Sequence, residues 1–156
     1  MTDAEKLVAL LKAAGQTCAT AESCTGGGIG AAITAVSGSS GIFEGGVISY
    51  SNAVKRDVLG VSAADLDRVG AVSPEVAEQM ASGVRRLTGA DLAVAVTGIA
   101  GPTGGTPEKP VGTVWFGLAT AAGVRSEKKL FPGDRDAVRR QTIRHALGIL
   151  SAAAAL

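Results

Sequence analysis

Residues 92–97, Leu-Ala-Val-Ala-Val-Thr, form a near-continuous apolar run that stops at Gly98. Such a run is expected in a strand covered on both faces, and here it predicts the central strand of a sheet with helices on either side. The 156 residues suit about one such domain, at roughly 150 residues each, and the reading assigns a single domain over residues 1–156. Glycine supplies 22 of those residues, about twice its usual share of roughly 7 %, so many tight turns or close backbone approaches are required.

The flanking elements follow from local signals. Thr2 and Glu5 have capping-box spacing, and Leu7, Leu10, Leu11 and Ala14 recur at helical intervals until Gly15. Residues 17–22 read as a strand, the glycine cluster after Ser23 as a tight turn, and Ile29, Ala32 and Ile33 as a helix. A strand over residues 46–50 and a short helix carrying Lys55, Val58 and Leu59 come next. Ser73-Pro74-Glu75 opens a helix that ends near Gly89. Residues 113–120 and 124–131 form a hairpin around Ala121-Ala122-Gly123, and residues 134–150 a last amphipathic helix. The alternation predicts a three-layer α/β/α sandwich with a mixed sheet.

Composition narrows the function. Fifteen Lys and Arg against fourteen Asp and Glu leave a net charge of +1, which points to no polyanionic partner. One Trp, one Tyr and three Phe offer little for stacking bases, so nucleic acid is not an expected partner. No apolar stretch reaches the roughly 18 residues of a membrane span. Cys18 and Cys24 with a single histidine cannot build a typical four-ligand zinc site, and no metal or organic cofactor is expected. The two cysteines and the lack of a signal-peptide pattern predict a cytoplasmic protein.

Four places carry candidate chemistry. In Ala21-Glu22-Ser23-Cys24-Thr25-Gly26-Gly27-Gly28, Ser23 sits between strand and helix, at the positive end of a helix dipole, with backbone N–H groups nearby for an oxyanion. It reads as a nucleophile or as a helix cap; Cys24 reads as a rival nucleophile or as a small buried hydrophobe. His145, on the last helix with no acid beside it in sequence, reads as structural, so a Ser-His-Asp triad is not expected. The base would instead be a lysine whose pKa is depressed by burial, and Tyr50-Ser51-Asn52-Ala53-Val54-Lys55 offers Lys55, which otherwise is a solvated helix lysine. The glycine-rich segment 97–106 is a backbone cradle for an anion or a mobile connector. Residues 125–144 hold seven basic residues against three acidic ones, which reads as a solvated face from which an arginine can reach a phosphate.

Ala-Glu-Ser-Cys-Thr-Gly-Gly at 21–27, Tyr-Ser-Asn-x-x-Lys at 50–55, Ser-Pro-Glu at 73–75, Thr-Gly-Ile-Ala-Gly-Pro at 97–102 and Pro-Val-Gly-Thr-Val at 110–114 resemble the CinA C-terminal domain family. The resemblance implies a five-stranded mixed sheet between helical layers, a homodimer, and hydrolysis of nicotinamide mononucleotide to nicotinic acid mononucleotide in pyridine-nucleotide salvage. It implies catalytic roles for Ser23, Tyr50 and Lys55, with Tyr50 relaying or orienting the lysine. In the reading built on it, the N–H groups of Cys24, Thr25 and Gly26 hold the oxyanion. Thr97, Gly98 and Gly101, with Arg135 or Arg139, grip the substrate phosphate. Many relatives carry a further domain ahead of this one, and helix one here starts at Thr2. The alternative is a nucleotide-binding or competence-linked protein without catalysis.

Overall fold

The computed structural model describes residues 1–154, so the last two positions of the expected domain lie outside the described residues. Five strands form one sheet in the order β2-β1-β3-β4-β5. Strand β1 (Cys18–Glu22) runs parallel to both β2 (Phe43–Ile48) and β3 (Leu92–Gly98), whereas β4 (Thr113–Thr120) and β5 (Gly123–Leu130) continue antiparallel from β3. The sheet is thus mixed, and the apolar run 92–97 is its middle strand, as expected.

Helices α1 (Asp3–Ala14), α2 (Gly28–Thr34) and α6 (Arg135–Ala153) cover one face, and α5 (Pro74–Thr88) covers the other. These are the three layers. Alternation along the inner strands separates two cores. Cys18, Leu92, Val94 and Val96 pack under α1, α2 and α6, while Ala19, Ala21, Ala93 and Ala95 face α5. The alanines let α5 lie close, and Gly117 lets it lie closer still, because a Cβ there would collide with the Ala77 carbonyl oxygen of α5. Gly83 and Gly112 serve the same close approach of backbone to backbone, whereas thirteen glycines among the described residues take positive φ.

The caps hold the helices as the sequence signals predict. Thr2 and Glu5 make a reciprocal capping box on α1, and Gly15 ends it in the left-handed conformation (φ 66°). Ser73 caps α5, with Pro74 at the first helical position.

Two elements differ from expectation. Strand β2 occupies Phe43–Ile48 rather than residues 46–50, because Gly45 sits inside the strand instead of before it and the strand ends ahead of Ser49. Gly46 is required there, since a Cβ would run into the Thr20 side chain of β1. Helix α4 (Ala63–Val69) was not expected. It buries no residue and so shows no apolar periodicity, although its cap, Ser62 accepting from Asp65 N–H (3.2 Å), has a sequence signature. Among the described residues no helix is long and apolar enough to cross a membrane.

Candidate active site

Because β2, β1 and β3 are parallel neighbours, their C-terminal ends open side by side. Chain segments leaving them meet in one crevice, the usual ligand position of an open α/β sheet. Ser23 follows β1, Tyr50 follows β2, and Thr97-Gly98 closes β3. Ser51 then caps helix α3 (Asn52–Asp57), accepting from Val54 N–H (3.2 Å), which places Lys55 in the first turns with its side chain turned back over the strand ends.

Lys55 is 1 % exposed. Its Nζ donates to the carbonyls of Ser49 (2.8 Å) and Tyr50 (3.3 Å) and lies 3.0 Å from Ser23 Oγ. No carboxylate pairs with it among the described residues, and burial pushes its pKa below the ordinary lysine value of 10.5. A neutral amine has two N–H bonds and one lone pair. Two carbonyls and one hydroxyl suit that set, as they suit the three N–H donors of an ammonium.

The shift has a consequence for stability. Unfolding returns Lys55 to the ordinary lysine value, so between its lowered native pKa and about 10.5 the unfolded chain holds more protons than the folded one. Stability contributed by this group therefore rises with pH across that window and is lost as pH falls through it. Melting the parent beside Lys55→Met at a series of pH values is expected to show the parent gaining relative to the variant as pH rises. A constant difference between the two would mean that Lys55 keeps an ordinary pKa in the fold.

Ser23 does not cap α2. The N-cap is Gly27, and the N–H groups of Ile29 and Gly30 in the first turn donate instead to the buried carboxylate of Glu22. The expectation that Ser23 faces a free helix dipole is corrected accordingly, since a carboxylate already occupies that end. Gly26 N–H donates to the Ser23 carbonyl (3.1 Å), so it is engaged within the turn and does not serve an oxyanion. Among the described residues the Thr25 N–H has no hydrogen-bond acceptor, and the Cys24 N–H faces only its own sulfur. Cys24 is buried, and burial pushes its thiol up to about 11, which disfavours the thiolate near neutral pH.

A cleft of about 280 Å³ connects these groups, lined by Ser23, Cys24, Tyr50, Lys55, Thr97, Gly98, Gly101 and Arg135. Thr103 lines it from the 97–106 segment, and Asn52, Ala71 and Val72 also line it and were not anticipated. Several expected roles change. The Tyr50 phenol accepts from Arg135 Nη2 (3.3 Å) while its ring stays exposed, so the contact from Tyr50 to Lys55 is the backbone carbonyl and not a hydroxyl relay. Thr97 Oγ1 donates to the Ala71 carbonyl (3.0 Å), binding β3 to the segment before α5. Gly98 and Gly101 are demanded by packing, since a Cβ would strike Val114 or Val111, and Gly101 has φ 82°. Arg135 reaches the cleft and donates to the Gly101 carbonyl (2.8 Å). Arg139 lies outside the cleft lining and donates to the carbonyls of Cys24 (3.2 Å) and Thr25 (3.0 Å), bracing the turn from behind.

His145 stands apart. Its ring packs edge-on against Phe116, with 4.6 Å between centroids, and its Nε2 is 3.3 Å from Glu127 Oε1 of β5. Glu127 of the hairpin lies near it without hydrogen-bonding to Nε2. Among the described residues no cluster of His, Cys, Asp and Glu could hold a metal ion.

Comparison with known proteins adds the lineage. The CinA C-terminal domain model matches residues 2–154. The chain belongs to the CinA C-terminal domain family. A curated relative from Escherichia coli, named nicotinamide-nucleotide amidohydrolase PncC, is 50 % identical over 147 residues, 94 % of this chain and 89 % of that protein. A relative from Thermoanaerobacter is 51 % identical over 146 residues, but the chain spans only 35 % of that longer protein. The crystal structure of competence/damage inducible protein CihA from Agrobacterium tumefaciens superposes with a TM-score of 0.93 at 42 % identity, covering 97 % of this chain and 96 % of that one. CinA C-terminal domains therefore occur both as most of a short protein and as about a third of a longer one.

Proposed function

We propose that this CinA C-terminal domain hydrolyses the carboxamide of nicotinamide mononucleotide, giving nicotinic acid mononucleotide and ammonia, as a step in pyridine-nucleotide salvage. The observation that carries the reading is the 3.0 Å approach of a buried lysine amine to a serine hydroxyl in a cleft. The name of the similar Escherichia coli protein supplies the substrate class.

In this mechanism Lys55 Nζ takes the Ser23 proton as Oγ attacks the amide carbon. The carbonyl oxygen becomes an oxyanion, held by the Cys24 and Thr25 N–H groups. Collapse breaks the C–N bond, and the proton on Lys55 passes to the leaving nitrogen as ammonia departs. Water then attacks the acyl-Ser23 ester, its proton going to Lys55 and on to Ser23 Oγ. Tyr50 contributes its carbonyl to the lysine and, with Arg135, walls the cleft mouth. Arg135 is the phosphate contact, because its guanidinium lines the cleft and Arg139 does not. Proton transfer rests on Lys55, so a metal chelator is expected to leave turnover unchanged.

The direct test incubates the full chain with nicotinamide mononucleotide and with its phosphate-free riboside, measuring ammonia. Release from the mononucleotide, with kcat/KM at least tenfold above the riboside, is the expected result. Arg135→Gln should erase most of that preference by raising KM for the mononucleotide. A preference that survives the substitution would place the phosphate elsewhere, and no ammonia from either compound would refute the reaction. The proposal extends to a homodimer in the cytoplasm with no nucleic-acid partner.

A further inference from the structure

Glu22 takes no part in the chemistry proposed above, yet it ends β1 directly before Ser23 and is only 2 % exposed. A carboxylate removed from water is costly unless its oxygens are hydrogen-bonded. Here Oε1 accepts from the Thr25 hydroxyl (2.6 Å) and Ile29 N–H (2.8 Å), and Oε2 accepts from Gly30 N–H (2.9 Å). These donors bracket the nucleophile turn, with Thr25 inside it and Ile29 and Gly30 in the helix that follows. The Glu22 main chain extends the same ties to the base. Its carbonyl accepts from the N–H (2.7 Å) and hydroxyl (3.2 Å) of Ser49, whose own carbonyl receives Lys55 Nζ (2.8 Å).

From this arrangement we infer that Glu22 is a positioning residue, whose carboxylate clamps the turn after Ser23 and so sets Ser23 Oγ against Lys55 Nζ. The inference rests on the serine–lysine reading of the site. A carboxylate that only stabilised α2 would lower the melting temperature when changed and leave the reactivity of folded Ser23 untouched. Glu22→Gln keeps the shape but turns one acceptor into an NH2 donor that faces other donors. Thr25→Val removes the hydroxyl at nearly constant shape, and Thr25→Ser restores it.

Reactivity can be read without the substrate by using an alkyl phosphonofluoridate. Ser23 Oγ bonds to phosphorus, the P–F bond breaks, fluoride leaves, and Lys55 takes the hydroxyl proton. Labelling of the full chain is followed by intact mass and located by peptide mapping, with circular dichroism checking the fold. Labelling of Ser23 is expected to slow at least tenfold in Glu22→Gln and in Thr25→Val, with Thr25→Ser several-fold faster than Thr25→Val. Folded Glu22→Gln reacting at the parent rate would overturn the inference. If that variant does not fold, equal rates for Thr25→Val and Thr25→Ser would do so. A parent whose Ser23 is not labelled also overturns it, since the pair said to be aligned would be inert. The expected order of rates in a protein that releases no ammonia from the mononucleotide supports the clamp and removes the amidase reading.

Discussion

Lys55→Arg is expected to lower kcat/KM for ammonia release by about 10^3-fold or more, nearly as much as Lys55→Met. Arginine preserves the positive charge and a long side chain, but its guanidinium does not deprotonate in a protein and has no lone pair to offer the Ser23 hydroxyl. The two carbonyls of Ser49 and Tyr50 can still be satisfied by guanidinium N–H groups, so the contacts that hold the side chain survive in kind. Only the capacity to accept a proton disappears. The parent's rate should also rise with pH along the deprotonation of Lys55, and the midpoint should lie below the ordinary lysine value of 10.5 because burial favours the neutral amine. Steady-state kinetics on folded protein decides the matter. Near-normal turnover in the arginine variant would show that the residue supplies charge or position alone, and Lys55 could then no longer be the base.

Which features the sequence reveals depends on where the information resides. The capping box at Thr2 and Glu5, the Ser73-Pro74 start and the apolar run at 92–97 are local side-chain patterns, and each corresponds to an observed element. Helix α4 escapes such a reading because it packs no buried residue, and β2 escapes in part because glycine, normally a breaker, is needed beside Thr20. The site divides similarly. Ser23 and Lys55 can be placed together from their positions at adjacent strand ends, since parallel strands deliver those ends to one crevice. The groups that hold Lys55 are main-chain carbonyls of Ser49 and Tyr50, and a carbonyl leaves no residue-type signature. For the same reason a tyrosine beside the lysine suggests a phenol relay when the contact is the peptide. Glu22 next to Ser23 is visible in the sequence, but that its carboxylate points to α2 and not to the cleft follows only from the fold.

Ser23→Ala is expected to reduce kcat by about 10^4-fold or more while the protein remains folded, because it deletes the single atom that would form the acyl ester. The stability cost should be small. Ser23 Oγ caps no helix, and its one hydrogen-bond partner among the described residues, Lys55 Nζ, keeps both carbonyl acceptors, so the loss is that of one buried hydrogen bond, about 1 kcal/mol. The lysine also retains its burial, so the pH dependence of stability assigned to it should persist in the alanine variant. Cys24→Ala provides the contrast. That thiol is pushed up to about 11 by burial and belongs to the core beneath α2, so its removal should trim stability through lost packing and leave most of the activity. Both variants can be compared for ammonia release from the mononucleotide at one pH, with circular dichroism to confirm folding. Activity persisting in Ser23→Ala but absent from folded Cys24→Ala would transfer the nucleophile to sulfur, and the 3.0 Å approach of Lys55 to Ser23 would then be a structural contact without a catalytic role.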